Sequence, residues 1–196
     1  MSLVDFLNNA GYHHLEGYSQ QVPAQVNHLI DLSKDQVNVM EIGFNAGHSA
    51  EVFLQNNKTL TLTSFDLGHH HYVSVGKGFI DSTYPDRHHL ILGDSTMTVP
   101  EYINANQGKT FDLIFIDGGH HYNVAKADIE NCKKLSHKDT IVILDDTVFT
   151  ENWERDWTIG PTKVWTEKVN DHSIIELNRV DYLPGRGMCW GKYNFV

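Results

Sequence analysis

The sequence predicts a doubly wound α/β fold, with a mostly parallel seven-stranded sheet, helices on both faces and an antiparallel hairpin at the C-terminal end. Three observations predict it. Short unbroken apolar runs, such as Leu113-Ile114-Phe115-Ile116, have the pattern of strands buried on both faces. They alternate with stretches of helical periodicity, the signature of a parallel sheet wrapped by helices. Several runs stop abruptly at glycine and aspartate, and in an open sheet of this kind ligands bind at the carboxyl ends of the strands.

Taken in order, residues 3–9 form a helix that stops at Ala10-Gly11, and residues 12–21 form a polar, aromatic loop. Val22, Val26, Leu29 and Ile30 recur at helical spacing, with Pro23 in the first turn, where its missing N–H does no harm. Residues 37–42 are a first strand, followed by Gly43-Phe44-Asn45-Ala46-Gly47 and a helix carrying Ala50, Phe53 and Leu54 on one face. Residues 59–65 are a second strand that delivers Asp66 to its carboxyl end. Residues 68–87, interrupted by glycines, histidines and tyrosines, read as an irregular segment long enough to be functional.

Residues 89–92 are a third strand, ending in Gly93-Asp94-Ser95 before a helix through Val99 and Ile103. The fourth strand ends at Asp117, after which Asn123 is the expected cap of a helix carrying Ala125, Ile129 and Cys132. Residues 140–144 are a fifth strand, ending in Asp145-Asp146-Thr147. An aromatic loop with Trp153 and Trp157 precedes a helix opened by Gly160-Pro161. Residues 174–180 and 188–195 then make two strands around Pro184-Gly185-Arg186-Gly187, a connection so short that they pair antiparallel.

With 196 residues the chain has room for one domain, read here as a helical cap over residues 1–36 and a core over residues 37–196. A net charge of -10 without clustered lysine and arginine excludes a nucleic-acid binder and better suits a cation. No segment has the uninterrupted apolar length of a membrane span, and the opening MSLVDFLNN has no basic leader, so the expectation is a cytoplasmic protein. Cys132 and Cys189 match neither a CxxC pattern nor a disulfide framework and are expected reduced and buried. Nothing in the sequence decides whether the chain forms a homo-oligomer.

Two groups of residues carry the chemistry. In the first, glycines after the first strand let a ligand approach the backbone, and Asp66, about twenty residues on, suits a ribose diol. The alternative for that turn is a plain βα connection, and for Asp94 a helix cap. Glu41 stands where a dinucleotide fingerprint has its first glycine, which weakens an NAD-dependent oxidoreductase as the reading. In the second group, neighbouring strand ends bring Asp117 and the pair Asp145-Asp146 to one sheet edge, three hard oxygen donors for a magnesium-like ion. All three acids also fit as turn residues. His120 follows Asp117 closely enough to reach an atom held at the same place and has a pKa suited to a general base, with adjacent His121 the competing candidate. Trp153 and Trp157 offer aromatic faces for a sugar or belong to the core.

The ExGxxxG turn, Asp66, Gly93-Asp94-Ser95 and FDLIFIDGGHHY together resemble the class I, Rossmann-like S-adenosylmethionine-dependent methyltransferases, over nearly the whole chain. The resemblance implies cofactor contacts from Glu41, Gly43, Phe44, Asn45, Gly47, Ser49, Asp66, Leu67, Asp94, Ser95 and Asp117. In that family the glycine turn passes under the methionine part, the acid ending the second strand binds the ribose and the GDS position lies beside adenine. The Asp-x-x-His spacing with a later acid pair is similar to the metal-dependent sugar O-methyltransferases of macrolide biosynthesis. That likeness implies Asp117, Asp145 and Asp146 as ligands of Mg2+ or a similar divalent cation, His120 as base, and a sugar or glycan hydroxyl as acceptor. Catechol O-methyltransferases, the nearer alternative, typically carry a lysine where this chain has histidines.

Overall fold

The structure, a computed structural model, describes residues 1–195. Strands β1 (Asn38–Ile42), β2 (Thr61–Asp66), β3 (His88–Leu92), β4 (Phe111–Ile116), β5 (Ser136–Asp145), β6 (Ile174–Leu183) and β7 (Arg186–Tyr193) form one seven-stranded sheet in the order β3-β2-β1-β4-β5-β7-β6. The first five run parallel, and β7 pairs antiparallel with both β5 and β6, as the short connection requires.

Strand residues alternate between two cores, which is why the central strands read as unbroken apolar runs. Val39, Leu113, Phe115 and Ile143 face one side, with residues of α1 (Leu3–Asn9), α2 (Pro23–Ser33), α3 (His48–Asn56) and α4 (His71–Thr83). Met40, Ile42, Ile114, Ile116, Val142 and Leu144 face the other, with residues of α5 (Ser95–Ala105), α6 (Tyr122–Lys133) and α7 (Asp156–Asn170). Cys132 and Cys189 are free thiols inside this packing.

Strand order reverses between β1 and β4, and a crevice opens at their carboxyl ends. The junction is tied by backbone bonds: the Asp117 N–H donates to Ile42 O at 2.8 Å and the Gly43 N–H to Phe65 O at 2.8 Å. Gly43 has φ +97°, and a Cβ there would lie 1.8 Å from the Asp117 carbonyl oxygen, so only glycine lets the two strand ends close together.

Three expected boundaries are corrected. The segment 68–87 is not irregular but contains α4, whose Tyr72, Val73, Gly76, Phe79 and Ile80 form a buried face. Gly76 reads as a helix breaker in sequence; here it packs on α3's approach, where a Cβ would lie 2.1 Å from Ala46 O. The cap of α6 is His121 rather than Asn123, because the helix already begins at Tyr122. Gly160-Pro161 lies inside α7 instead of opening it, and Gly160 lets that helix press against the loop after β4, where a Cβ would lie 2.1 Å from His120 O.

Candidate active site

The crevice is a cavity of about 690 Å³ whose walls come from both halves of the sheet. On the β1–β3 side stand Gly43, Asn45, Asp66, Leu67, Asp94 and Ser95. On the β4–β5 side stand Asp117, Gly118, His120, His121 and Asp146, with Trp157 and Arg186 beside them. The structure thus brings most of the residues singled out in the sequence to one place.

The β1–β3 side is held by backbone donors. Asp66 Oδ2 accepts the Asn45 N–H and Oδ1 the Gly68 N–H, each at 2.7 Å, which fixes the carboxylate at the end of β2. Asp94 caps α5: its Oδ1 accepts the Thr96 N–H at 2.9 Å and the Thr96 hydroxyl at 2.7 Å, and these bonds hold its pKa below the usual carboxylate value. Its cap reading and its place on the cavity wall are therefore both satisfied.

Four residues expected to touch a cofactor do not line this cavity. Glu41 is fully buried beneath the turn, where its carboxylate accepts the Ser49 and Ser64 hydroxyls, each at 2.7 Å. Burial pushes its pKa up to about 7, with the two serines acting against the rise. Ser49 is spent on that bond. Phe44 points inward and stacks on His88 with ring centroids 5.0 Å apart, and Gly47 serves as the left-handed entry to α3, packed under the Phe44 ring. Spacing brought these positions close to the site without showing that the Glu41, Phe44 and Ser49 side chains turn into the packing.

The β4–β5 side is crowded with charge. Asp117, His120 and Asp146 offer ligand atoms that all lie within 4.8 Å of one another. His120 Nε2 sits 2.8 Å from Asp146 Oδ2, and that contact raises the imidazole pKa against the opposing effect of burial. Burial, and then the charges of Asp145 and Asp146, push the Asp117 carboxyl well above its ordinary value. Asp146 reaches the cavity because it leaves β5 with φ 53°, turning the chain.

Asp145 does not join the cluster, contrary to the expected ligand set. It is the last residue of β5, and Gln25 Nε2 from α2 donates to both of its oxygens, at 2.7 and 2.9 Å. His121 lines the cavity but carries the cap position of α6 and, among the described residues, makes no such contact with an acid. Trp157 lines the wall with its Nε1–H fixed on Gly185 O at 3.1 Å, whereas Trp153 lies behind, its carbonyl accepting the Gly185 N–H.

Residues the sequence did not single out are Glu16 and Gly17, which bring the N-terminal segment over the cavity. Arg186 Nη2 donates to Gln21 Oε1 at 2.9 Å and ties that segment to the β6–β7 hairpin. Among the described residues Arg186 is the only lysine or arginine on the wall. No periodicity marks a loop that acts by crossing a strand end, so Glu16 had no signal.

A family model described as a methyltransferase domain matches residues 40–147, over half of the chain and all of the switch point. No curated protein matches. Similar solved structures include an O-methyltransferase from Bacillus cereus in complex with SAH, 19% identical with a TM-score of 0.75, covering 97% of this chain and 89% of that one. The SAH-bound methyltransferase PaMTH1 from Podospora anserina is 18% identical with a TM-score of 0.72, covering 98% and 87%. CalS11, a TDP-rhamnose 3'-O-methyltransferase of calicheamicin biosynthesis, is 19% identical with a TM-score of 0.64, covering 87% and 78%. At these identities the likeness is one of fold.

Proposed function

This chain belongs to the methyltransferase-domain family, and from that premise we propose that it transfers the methyl group of S-adenosylmethionine to a hydroxyl oxygen, with a sugar or glycoside as acceptor. The observation that carries the reading is the convergence of Asp117, His120 and Asp146 on the wall of the same cavity that Gly43 and Asp66 shape. The methyl donor would lie along the β1–β3 side, its ribose hydroxyls on Asp66 and its base against Asp94 and Ser95. That places the sulfonium toward Asp117 and leaves the β4–β5 side for the acceptor.

The residues present fit a divalent cation. Burial, and then the charges of Asp145 and Asp146, make Asp117 resist ionisation, and a hard cation held by this wall would favour its charged form. Bound there, Mg2+ or a similar ion would lower the pKa of a coordinated hydroxyl. Asp117 and Asp146 would hold it. His120 stands against Asp146, within reach of a hydroxyl brought to that place, and takes its proton as the oxygen attacks. The new bond is oxygen to methyl carbon, the carbon–sulfur bond breaks, and S-adenosylhomocysteine leaves with the sulfur's electron pair. Alignment of oxygen, carbon and sulfur supplies most of the acceleration.

Two features favour a sugar hydroxyl over a catechol. No lysine lines the wall among the described residues, so the base there is an imidazole. Trp157 presents a fixed aromatic ring, suited to the apolar face of a sugar. Incubating the protein with labelled S-adenosylmethionine, Mg2+ and a panel of glycosides and catechols tests the reading. Label on a glycoside, lost on chelation, is the expected result; label on none sinks the acceptor class, and stabilisation by NAD but not by S-adenosylhomocysteine overturns the methyl-transfer reading.

A further inference from the structure

A row of polar side chains crosses the sheet beneath the glycine turn, and the reaction above uses none of it. Glu41 of β1 and Ser64 of β2 lie opposite one another in register, and His88, the first residue of β3, follows on the same face. The Ser64 hydroxyl lies 2.7 Å from Glu41 Oε1 and 2.8 Å from His88 Nε2. Glu41 and Ser64 have no exposed surface, and neither has the His88 ring. On its far side the ring turns Nδ1, which has no hydrogen-bond partner, toward Asp81 Oδ1 of α4 at 3.8 Å, and Asp81 is half exposed and paired with Lys77. The row thus leads from an acid under the turn to the surface between α4 and β3.

A hydroxyl has one proton, so Ser64 donates to one neighbour and accepts from the other, which allows two arrangements. With Glu41 ionised, Ser64 donates to the carboxylate and the His88 Nε2–H donates to Ser64. With Glu41 protonated, its O–H donates to Ser64 and Ser64 donates to a bare Nε2, so the ring proton sits on Nδ1. Passing from the second to the first moves three protons one step each: the Glu41 proton to Ser64, the Ser64 proton to Nε2, and the Nδ1 proton out past Asp81 to solvent. One proton leaves the protein, Glu41 gains its charge and the ring stays neutral. Burial pushes His88 down to about 4 and Glu41 up to about 7, so the ring is neutral where the acid titrates.

The groups that face this row connect it to the cavity. Glu41 meets the Ser49 hydroxyl from α3 and feels the charge of Asp66 at the end of β2, while Asp117 at the end of β4 feels that of Glu41. His88 faces Lys77 and Asp81 of α4 and its neighbour His89, with the Phe44 ring stacked on it. Asp66 and Asp117 both line the cavity, so a charge placed there acts on Glu41 as well. Resting on the reading of that cavity as the seat of the methyl donor, we propose that His88 is a positioning residue: through Ser64 it gives the Glu41 proton its way out, and the positive sulfonium of S-adenosylmethionine drives that proton to solvent at Asp81. Methyl transfer leaves a neutral thioether, and the proton returns by the same path.

NMR of ring-nitrogen-labelled histidines, with His88 assigned by its absence from His88→Phe, tests this without turnover. As pH rises through about 7, the His88 proton should move from Nδ1 to Nε2 with the ring neutral throughout. Glu41→Gln and Ser64→Ala should each hold the ring in one tautomer across the range. Just below the midpoint, S-adenosylmethionine should convert wild-type His88 to its high-pH tautomer and S-adenosylhomocysteine should not. The ratio of their affinities should rise by up to about tenfold per pH unit below the midpoint and level off above it, a rise absent from Glu41→Gln. A wild-type ring that keeps one tautomer, or that gains a full charge, overturns the path, and that result needs no variant to fold. The same response to both ligands overturns its link to the sulfonium. If neither ligand binds, the methyl-donor reading falls with that link, and the ligand-free titration still decides whether the path exists.

Discussion

The two sides of the cavity are built on different principles. On the β1–β3 side each acid is already satisfied: Asp66 by two backbone N–H groups and Asp94 by its own helix terminus. On the β4–β5 side Asp117, His120 and Asp146 offer ligand atoms within 4.8 Å of one another, and among the described residues Arg186 is the only lysine or arginine on the wall. The first side is preorganised to receive a neutral, hydrogen-bonding ligand. The second gathers acids whose ionisation burial and one another oppose, the setting in which the proposed proton transfer would take place. The contrast is sharpest between two chain neighbours, Asp145 tied to Gln25 and Asp146 paired with His120.

The comparison breaks first at Asp117. Asp117→Asn should lower the rate of methyl transfer about a thousandfold, the scale of removing a charge that organises the reacting oxygen, while the protein melts no lower than wild type because burial, and then the neighbouring acids, already disfavour a charge there. A large fall in melting temperature would mean that the carboxylate supports the fold instead. His120→Ala should cost about 10²–10⁴-fold in kcat with binding of S-adenosylhomocysteine unchanged. Steady-state rates beside calorimetry separate these effects, and full activity in this variant would move the base to His121.

The β1–β3 side should respond in stability and binding. Glu41 has its folded pKa raised from 4.5 to about 7 by burial, so the folded chain keeps a proton that the unfolded chain releases between those values. Its contribution is intact below about pH 4.5, falls as pH rises to about 7, and amounts to about 3 kcal/mol across that window. Denaturant melts of the wild type and Glu41→Gln at pH 4.5 and pH 8 should differ by that order, with the variant losing less. Asp66→Asn is the smallest effect: about a tenfold rise in KM for the methyl donor with kcat retained, the scale of one hydrogen bond to a charged group. A fall in kcat without a change in KM would put Asp66 on the wrong side of the comparison.

The strands were legible because β1, β4 and β5 are buried on both faces and each ends in glycine or acid. The helix α4 was not, because Gly76 signals a break in sequence and a close approach to Ala46 in space. Asp117, His120 and Asp146 were legible from spacing along neighbouring strand ends. Which of two adjacent aspartates turns inward was not, since that depends on the φ of Asp146 and on Gln25, 120 positions from Asp145 in the chain.

The crowded side of the cavity is the proposed seat of a divalent cation, a role tested most directly by titrating Mg2+ into the protein saturated with S-adenosylhomocysteine and following the heat. A single site in the wild type, lost in Asp146→Asn and weakened less in Asp145→Asn, whose side chain Gln25 already holds, is the predicted result. No magnesium heat in the wild type, together with methyl transfer that survives exhaustive chelation, would contradict it.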